Sequence, residues 1–180
     1  QWRPHTKGIK IPEIAQRVID SGAVGVTCAK LSEAEMMAEA GITNILIANQ
    51  IVGRRKIERL CELSKKVDVL VALDDEGVAR QMDHAAQLND VCLNVLVEVN
   101  VGMDRAGVDS GKATLEFCQR IREHKHVNFS GLMAWEGHAA GILDEHKKKD
   151  AISSSMKKLI KTISLLKKKR YRSRNYQRCG

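Results

Sequence analysis

Aromatic side chains are almost missing from this chain: two Trp, two Tyr and two Phe make up 3% of its 180 residues. Its core must therefore be aliphatic, and a hydrophobic content of 43% is ample for one. Long apolar runs are missing too. None approaches the roughly 20 residues that a membrane helix needs, and no charged-then-apolar leader opens the chain, so neither membrane insertion nor secretion is expected. No C-x-x-C pair occurs among the five cysteines, Cys28, Cys61, Cys92, Cys118 and Cys179. An odd number at wide spacing argues against a disulfide framework and a zinc site, and leaves reduced thiols in a cytoplasmic protein. Cys28 reads as a strand residue packed in the interior. Acidic residues are missing from one end: residues 157–180 hold ten basic side chains and no acidic one, against 20 basic and 22 acidic in the remainder. The net charge of +8 thus belongs to a terminal stretch, and the body is near neutral. Such a tail ordinarily points to nucleic acid or an anionic membrane surface.

What is present is an alternation of β-rich runs with amphipathic helices. Residues 1–4 read as a strand stub, and 11–21 as a helix with Ile14, Ala15, Val18 and Ile19 on one face. Strands are expected at 23–27, 44–48, 67–73, 91–99 and 127–135, and helices at 32–40, 54–65, 76–88, 112–122 and 156–168. Ser32 with Glu35 predicts a capping box, and Gly41 a left-handed helix end. The run at 91–99 is near-continuously apolar, as parallel strands buried on both faces are. No Pro/Ser-rich linker interrupts the series. Six βα steps without a boundary predict one α/β barrel, with an open doubly wound sheet as the competing architecture. In a barrel, loops at the carboxyl ends of strands carry the chemistry. Lys7, Asn49-Gln50, Asp74-Asp75, Arg105 and Glu136 to His138 all fall just after predicted strands.

The opening run Trp2-Arg3-Pro4-His5-Thr6-Lys7-Gly8-Ile9-Lys10 sets one lysine behind a proline and a histidine, and a second lysine three residues on. Pro4 fixes its own φ and pushes Arg3 towards extended geometry, which places Lys7 on a shaped loop. Together with Pro12-Glu13-Ile14-Ala15, Gly22-Ala23-Val24-Gly25-Val26, Lys30-Leu31-Ser32-Glu33-Ala34-Glu35, Val97-Glu98-Val99-Asn100-Val101-Gly102, Arg105, Gly107-Val108 and Gly131-Leu132-Met133, this run resembles the D-threonine aldolase and D-serine dehydratase family. The matches follow family order from Arg3 to about Lys168.

The resemblance implies a (β/α)8 TIM-type barrel of the alanine racemase N-terminal domain kind, incomplete at both ends, with pyridoxal 5'-phosphate as cofactor. It implies Lys7 as the Schiff-base lysine, a nucleophilic amine whose partial burial beside His5 and Lys10 would favour the neutral form. Lys10 is the second choice. Arg105 is implied as a cofactor contact at the pyridine ring, where a permanent positive charge would moderate electron withdrawal. His5 and Trp135 complete the implied cofactor-binding set. The chain departs from the pattern at Ile9, where a histidine is usual, at Ala29 for a glutamine, and at Trp135 for a tyrosine. His138 and Glu136 read as an acid/base pair or metal ligands only on weak grounds. His124 and His126 read as a solvated helix end, so no metal ligand is assigned. In the D-threonine aldolases a divalent metal, manganese or zinc, is held by a C-terminal domain.

The implied activity is a lyase acting on D-3-hydroxy amino acids, by retro-aldol cleavage or by dehydration with loss of ammonia. An amino-acid racemase on the same barrel is the alternative, followed by a non-catalytic cofactor carrier or a nucleic-acid binder using the basic tail. A small D-amino acid is the expected partner, and a homodimer the expected full-length state. The chain divides into a barrel portion at 1–168, about six of eight strands, and an aberrant tail at 169–180, with the C-terminal β domain absent and little activity expected. Back-translated with chosen codons and shifted by one base, the stretch from Arg170 onward gives Gly-Ile-Glu-Val-Glu-Ile-Ile-Ser-Gly-Val, the strand and Ser-Gly turn that the family has there. The tail is therefore expected to be a frameshift product, its charge without functional meaning, and neither nucleic acid nor membrane a partner. Sequencing the source DNA across Lys167 to Arg170 should reveal one extra base, and an unbroken frame would overturn the idea.

Overall fold

The structure, a computed structural model, describes residues 2–169. The strand stub is present as backbone bonding more than as a full strand. Val24 donates its N–H to the Trp2 carbonyl (3.0 Å), Thr27 donates to Pro4 (2.7 Å), and His5 bridges Thr27 in parallel. Six strands then follow: β1 (Val26–Cys28), β2 (Asn44–Gln50), β3 (Asp68–Leu73), β4 (Leu93–Asn100), β5 (Val108–Asp109) and β6 (Val127–Ala134). The helices are α1 (Pro12–Asp20), α2 (Leu31–Glu39), α3 (Arg54–Ser64), α4 (Glu76–Leu88), α5 (Lys112–Ile121) and α6 (Glu145–Lys168). All pairings are parallel. β1, β2, β3 and β4 lie side by side in sequence order, β6 pairs β4 along its length, and the two-residue β5 pairs the end of β4.

That order separates the two architectures. A doubly wound sheet reverses its strand order and splits its helices between two faces. Here the order does not reverse, and successive helices pack on one another from α2 to α6 as one continuous layer. The sheet is a wall of a barrel. Strand residues Ile45, Ile47, Val71, Val95 and Val97 join Met37, Leu60, Met82 and Ile121 from the helices in an almost entirely aliphatic core. By the two-residue period, Leu46, Leu70, Asn94, Leu96, Glu98 and Asn128 lie on the opposite face.

Several expectations are corrected. Ser32 does not cap α2: Lys30 is the N-cap and makes no side-chain cap bond. The reason is local. Glu33, not Glu35, reaches back to accept the Ala29 N–H (2.9 Å), while Glu35 pairs with Arg59. Gly41 does end α2 at φ +92°, with Gly41 N–H to Ala38 and Ile42 N–H to Met37 forming a Schellman closure. β2 runs two residues past its expected end and takes in Gln50. β5 was not anticipated, and the last helix begins at Glu145 rather than 156, where Asp144 caps it by accepting the Lys147 N–H (2.9 Å). β4 is not simply apolar, because Asn94, Glu98 and Asn100 set polar groups along its second face. The tail expected at 169–180 lies outside the described residues from Arg170 onward. Among the described residues no helix is long and apolar enough to cross a membrane.

Leu60 is fully buried, whereas Leu88, on the neighbouring helix, is 73% exposed. Leu60→Ala should therefore cost about 2–5 kcal/mol in urea denaturation and Leu88→Ala almost nothing.

Candidate active site

Residues 6–8 form a single 3-10 turn directly after the strand stub. Thr6 is buried at its base, and its hydroxyl donates to the Thr27 carbonyl (3.1 Å) and lies 3.6 Å from the Cys28 sulfur, which fastens the turn to β1. His5 caps the turn, its Nδ1 accepting the Lys7 N–H at 3.2 Å. Partial burial, and after it the charge of Lys7, lowers the His5 pKa below 6.5, against the opposing pull of Glu33. Lys7 itself is exposed, so the expected partial burial is not found. Instead its Nζ stands 5.4 Å from the centroid of the Trp135 ring, while the Arg105 guanidinium stands 4.7 Å from the same ring.

Three of the expected cofactor contacts, Lys7, Arg105 and Trp135, thus meet from distant parts of the chain, and His5 shapes the turn beneath one of them. Lys10 is engaged elsewhere. It adopts φ 55° and extends its ammonium to Glu33, 3.6 Å away. Trp135 follows β6 and lies over Gly137, where a Cβ would come within 2.7 Å of the indole. Only a residue without a side chain lets the ring lie there.

Arg105 sits in a turn after β4 that Asn100 organises. The Asn100 side-chain Oδ1 accepts from the Gly102 and Asp104 N–H groups (3.0 and 3.2 Å), and its Nδ2 donates to the Asp104 carboxylate (2.8 Å). Below this turn Gln50 and Asp74, both expected on the rim, join Glu98, which the sequence alone does not single out. Gln50 Nε2 donates to Glu98 (2.6 Å) and to Asp74 (3.1 Å), and the same Asp74 oxygen accepts the Gly107 N–H (2.8 Å). Glu98 is only 6% exposed, and burial raises its carboxyl above the ordinary 4.5, helped by Asp74 and opposed by Gln50 and Arg105. Asp75, next to Asp74 in the sequence, serves α4 as N-cap. The signal for Glu98 was its two-residue spacing from Asn100 within β4.

His138 and Glu136 are not joined by a hydrogen bond among the described residues. The His138 imidazole instead borders Gly102, its Nε2 lying 3.5 Å from where a Cβ would stand, with Lys158 Nζ 3.6 Å from the same point. His124 and His126 are not a solvated helix end: both approach Asp83 (3.4 and 3.7 Å), which also accepts the His126 N–H (2.7 Å).

Parallel strands wrapped by one layer of helices, with an amine, a guanidinium and an indole gathered beyond the strand ends, form a parallel α/β barrel wall with a candidate site on its carboxyl rim. The chain belongs to the family of the alanine racemase N-terminal domain, which matches residues 5–176. It is 39% identical over 135 residues to a D-threonine aldolase of Arthrobacter sp, covering 75% of this chain and 36% of that protein. It is 32% identical over 167 residues to a 3-hydroxy-D-aspartate aldolase of Paracoccus denitrificans, covering 89% and 43%. The D-threonine aldolase structure from Filomicrobium marinum superposes with a TM-score of 0.89 at 36% identity, over 92% of this chain and 45% of that one. The chain thus spans less than half the length of each of these relatives.

The cap at Lys7 needs a neutral His5, because protonated Nδ1 cannot accept. With the folded pKa lowered, the cap's contribution is complete above 6.5 and is lost as pH falls through the folded value. By NMR titration the His5 midpoint should lie below 6.5, and Lys7→Ala should raise it.

Proposed function

We propose that this chain is the cofactor-holding portion of a pyridoxal-phosphate-dependent lyase that cleaves D-3-hydroxy amino acids. The observation that carries the reading is the meeting of Lys7 and Arg105 on the Trp135 face. The identities to D-threonine and 3-hydroxy-D-aspartate aldolases support it. Retro-aldol cleavage to glycine and an aldehyde is favoured over dehydration by those same aldolase matches.

The donor set fits the cofactor: an accessible primary amine on a capped turn, a permanent cation and an aromatic wall stand together on one rim. Lys7 would hold the cofactor through its amine, with Arg105 and Trp135 lining the place and His5 shaping the turn. When bound, pyridoxal phosphate supplies a conjugated ring that takes up the electron pair released as a bond to the amino acid Cα breaks.

The chain's own residues then have separate tasks. His5 holds the Lys7 backbone, so the amine is presented from a fixed turn. An exposed cation–π contact contributes about 0.5–1 kcal/mol, which orients the Lys7 ammonium without trapping it. Once deprotonated, the same amine can accept a proton at Nζ from a substrate hydroxyl or amine. The Arg105 guanidinium offers donors to anionic oxygens. Trp135 covers one side and excludes water from the ring face it occupies. The proposed steps draw no metal from this chain, and among the described residues no three His, Cys, Asp or Glu side chains converge as ligands.

Incubation with pyridoxal phosphate, borohydride reduction and peptide mapping should place the pyridoxyl adduct on Lys7. Lys7→Ala should abolish it, and Lys10→Ala should leave it. Labelling scattered over surface lysines would overturn the assignment. With the full-length protein, glycine as product supports the aldolase, ammonia the dehydratase, and loss of optical rotation without new products the racemase.

A further inference from the structure

We propose that Lys158 and His138 form an anion subsite on the carboxyl rim, where the second carboxylate of a dicarboxylic D-3-hydroxy amino acid binds. The substrate in that statement rests on the proposed function. The subsite itself does not.

Gly102 marks the place. It follows β4 at φ +128°, a conformation that residues with a side chain adopt only at a cost, so the position stays without a Cβ. Two nitrogen-bearing side chains border the gap this leaves. His138 Nε2 stands 3.5 Å and Lys158 Nζ 3.6 Å from the point where a Cβ would sit, which bounds their separation at about 7 Å. Charge-assisted hydrogen bonds of about 2.7–2.9 Å to the two oxygens of one carboxylate can span that distance.

Both side chains leave from anchored backbone. The buried Ser155 hydroxyl donates to the Val101 carbonyl (3.2 Å) and ties α6 to the end of β4, which delivers Lys158, three residues on, to Gly102. His138 lies in the 3-10 turn Gly137–Ala139, between the glycine under the Trp135 ring and the buried Ala139. Other polar heads on the rim are engaged: Lys10 by Glu33, Gln50 by Glu98 and Asp74, and Asp104 by Asn100. The His138 and Lys158 side chains, both exposed, make no hydrogen bond or ion pair among the described residues. An ammonium has donors and no acceptor, and imidazole can donate from Nε2, so the ligand that suits both is an anion.

Both segments lead back to the candidate site. His138 is next in sequence to the glycine beneath Trp135, and Gly102 is three residues before Arg105, at most about 11 Å along the chain. Of the substrates in the relatives' names, 3-hydroxy-D-aspartate has a second carboxylate to place there and D-threonine has none.

The test of the subsite needs no cofactor. The His138 imidazole signal, identified by its loss in His138→Asn, is followed by NMR during titration with succinate, with sodium chloride at matched ionic strength as control. We expect a saturable shift with succinate and none with chloride, kept in Lys158→Arg and about tenfold weaker in affinity in Lys158→Met. A shift that chloride reproduces, or one that Lys158→Met leaves unchanged, overturns the subsite. The full-length protein reports where the carboxylate comes from. There Lys158→Met should lower the ratio of kcat/KM for 3-hydroxy-D-aspartate to that for D-threonine about tenfold. An unchanged ratio overturns the substrate assignment and gives the subsite to a free dicarboxylate. Pyridoxyl labelling separates this inference from the proposed function: labelled Lys7 without a succinate shift sinks the inference alone, and a succinate shift without labelled Lys7 sinks the proposed function alone.

Discussion

Parallel pairing is the constraint on which the rest depends. Each strand that pairs in parallel must return the chain to its starting end, and a helix is the usual way back. Repeated from β1 to β6, this puts every strand's carboxyl end on one rim and leaves the helices as a single outer layer. Lys7, Gln50, Asp74, Arg105 and Trp135 come from five separate places in the sequence. They meet because each lies at or just beyond a strand end on that rim. The aliphatic core supplies rigidity, and the rim has little to do with stability.

Charge is distributed across the rim in two tiers. The upper tier holds cations against an indole, Lys7 and Arg105 on Trp135. The lower tier holds two carboxylates joined by an amide, Asp74 and Glu98 on Gln50. Arg105 stands in the upper tier, and its turn is anchored in the lower one, where Asp74 accepts the Gly107 N–H. Lys10 is withdrawn from this arrangement by Glu33, which leaves one amine at the ring.

Much of this was legible in the sequence. Helix and strand positions followed from apolar spacing, and Gly41 announced the end of α2, since few other residues adopt its φ cheaply. The Lys7, Arg105 and Trp135 set came from resemblance, which carries long-range proximity that spacing alone cannot. Ser32 failed because a capping box there requires the helix to start two residues later than it does, and packing of the buried Leu31 favours the earlier start. Glu98 was missed because a strand of Val and Leu looks buried on both faces. A single inward carboxylate is visible only when the two-residue period is followed to Asn94 and Asn100. Gln50 was placed in a loop, because a parallel bulge between Ile47 and Gln50 extends β2 in a way no local pattern signals.

Magnitudes explain why the two cations on Trp135 differ in freedom. An exposed cation–π contact contributes about 0.5–1 kcal/mol, comparable to thermal energy. Lys7 has that contact and no ion pair among the described residues, so its ammonium exchanges readily between the ring and water. Arg105 stands nearer the ring, at 4.7 Å against 5.4 Å, on a turn that Asn100 and Asp74 fix on either side. A group that must form and break a covalent bond has to remain mobile, whereas one that only presents charge gains from being held. The tethering is thus unequal in the direction the chemistry requires: the contact is looser at the amine and closer at the guanidinium.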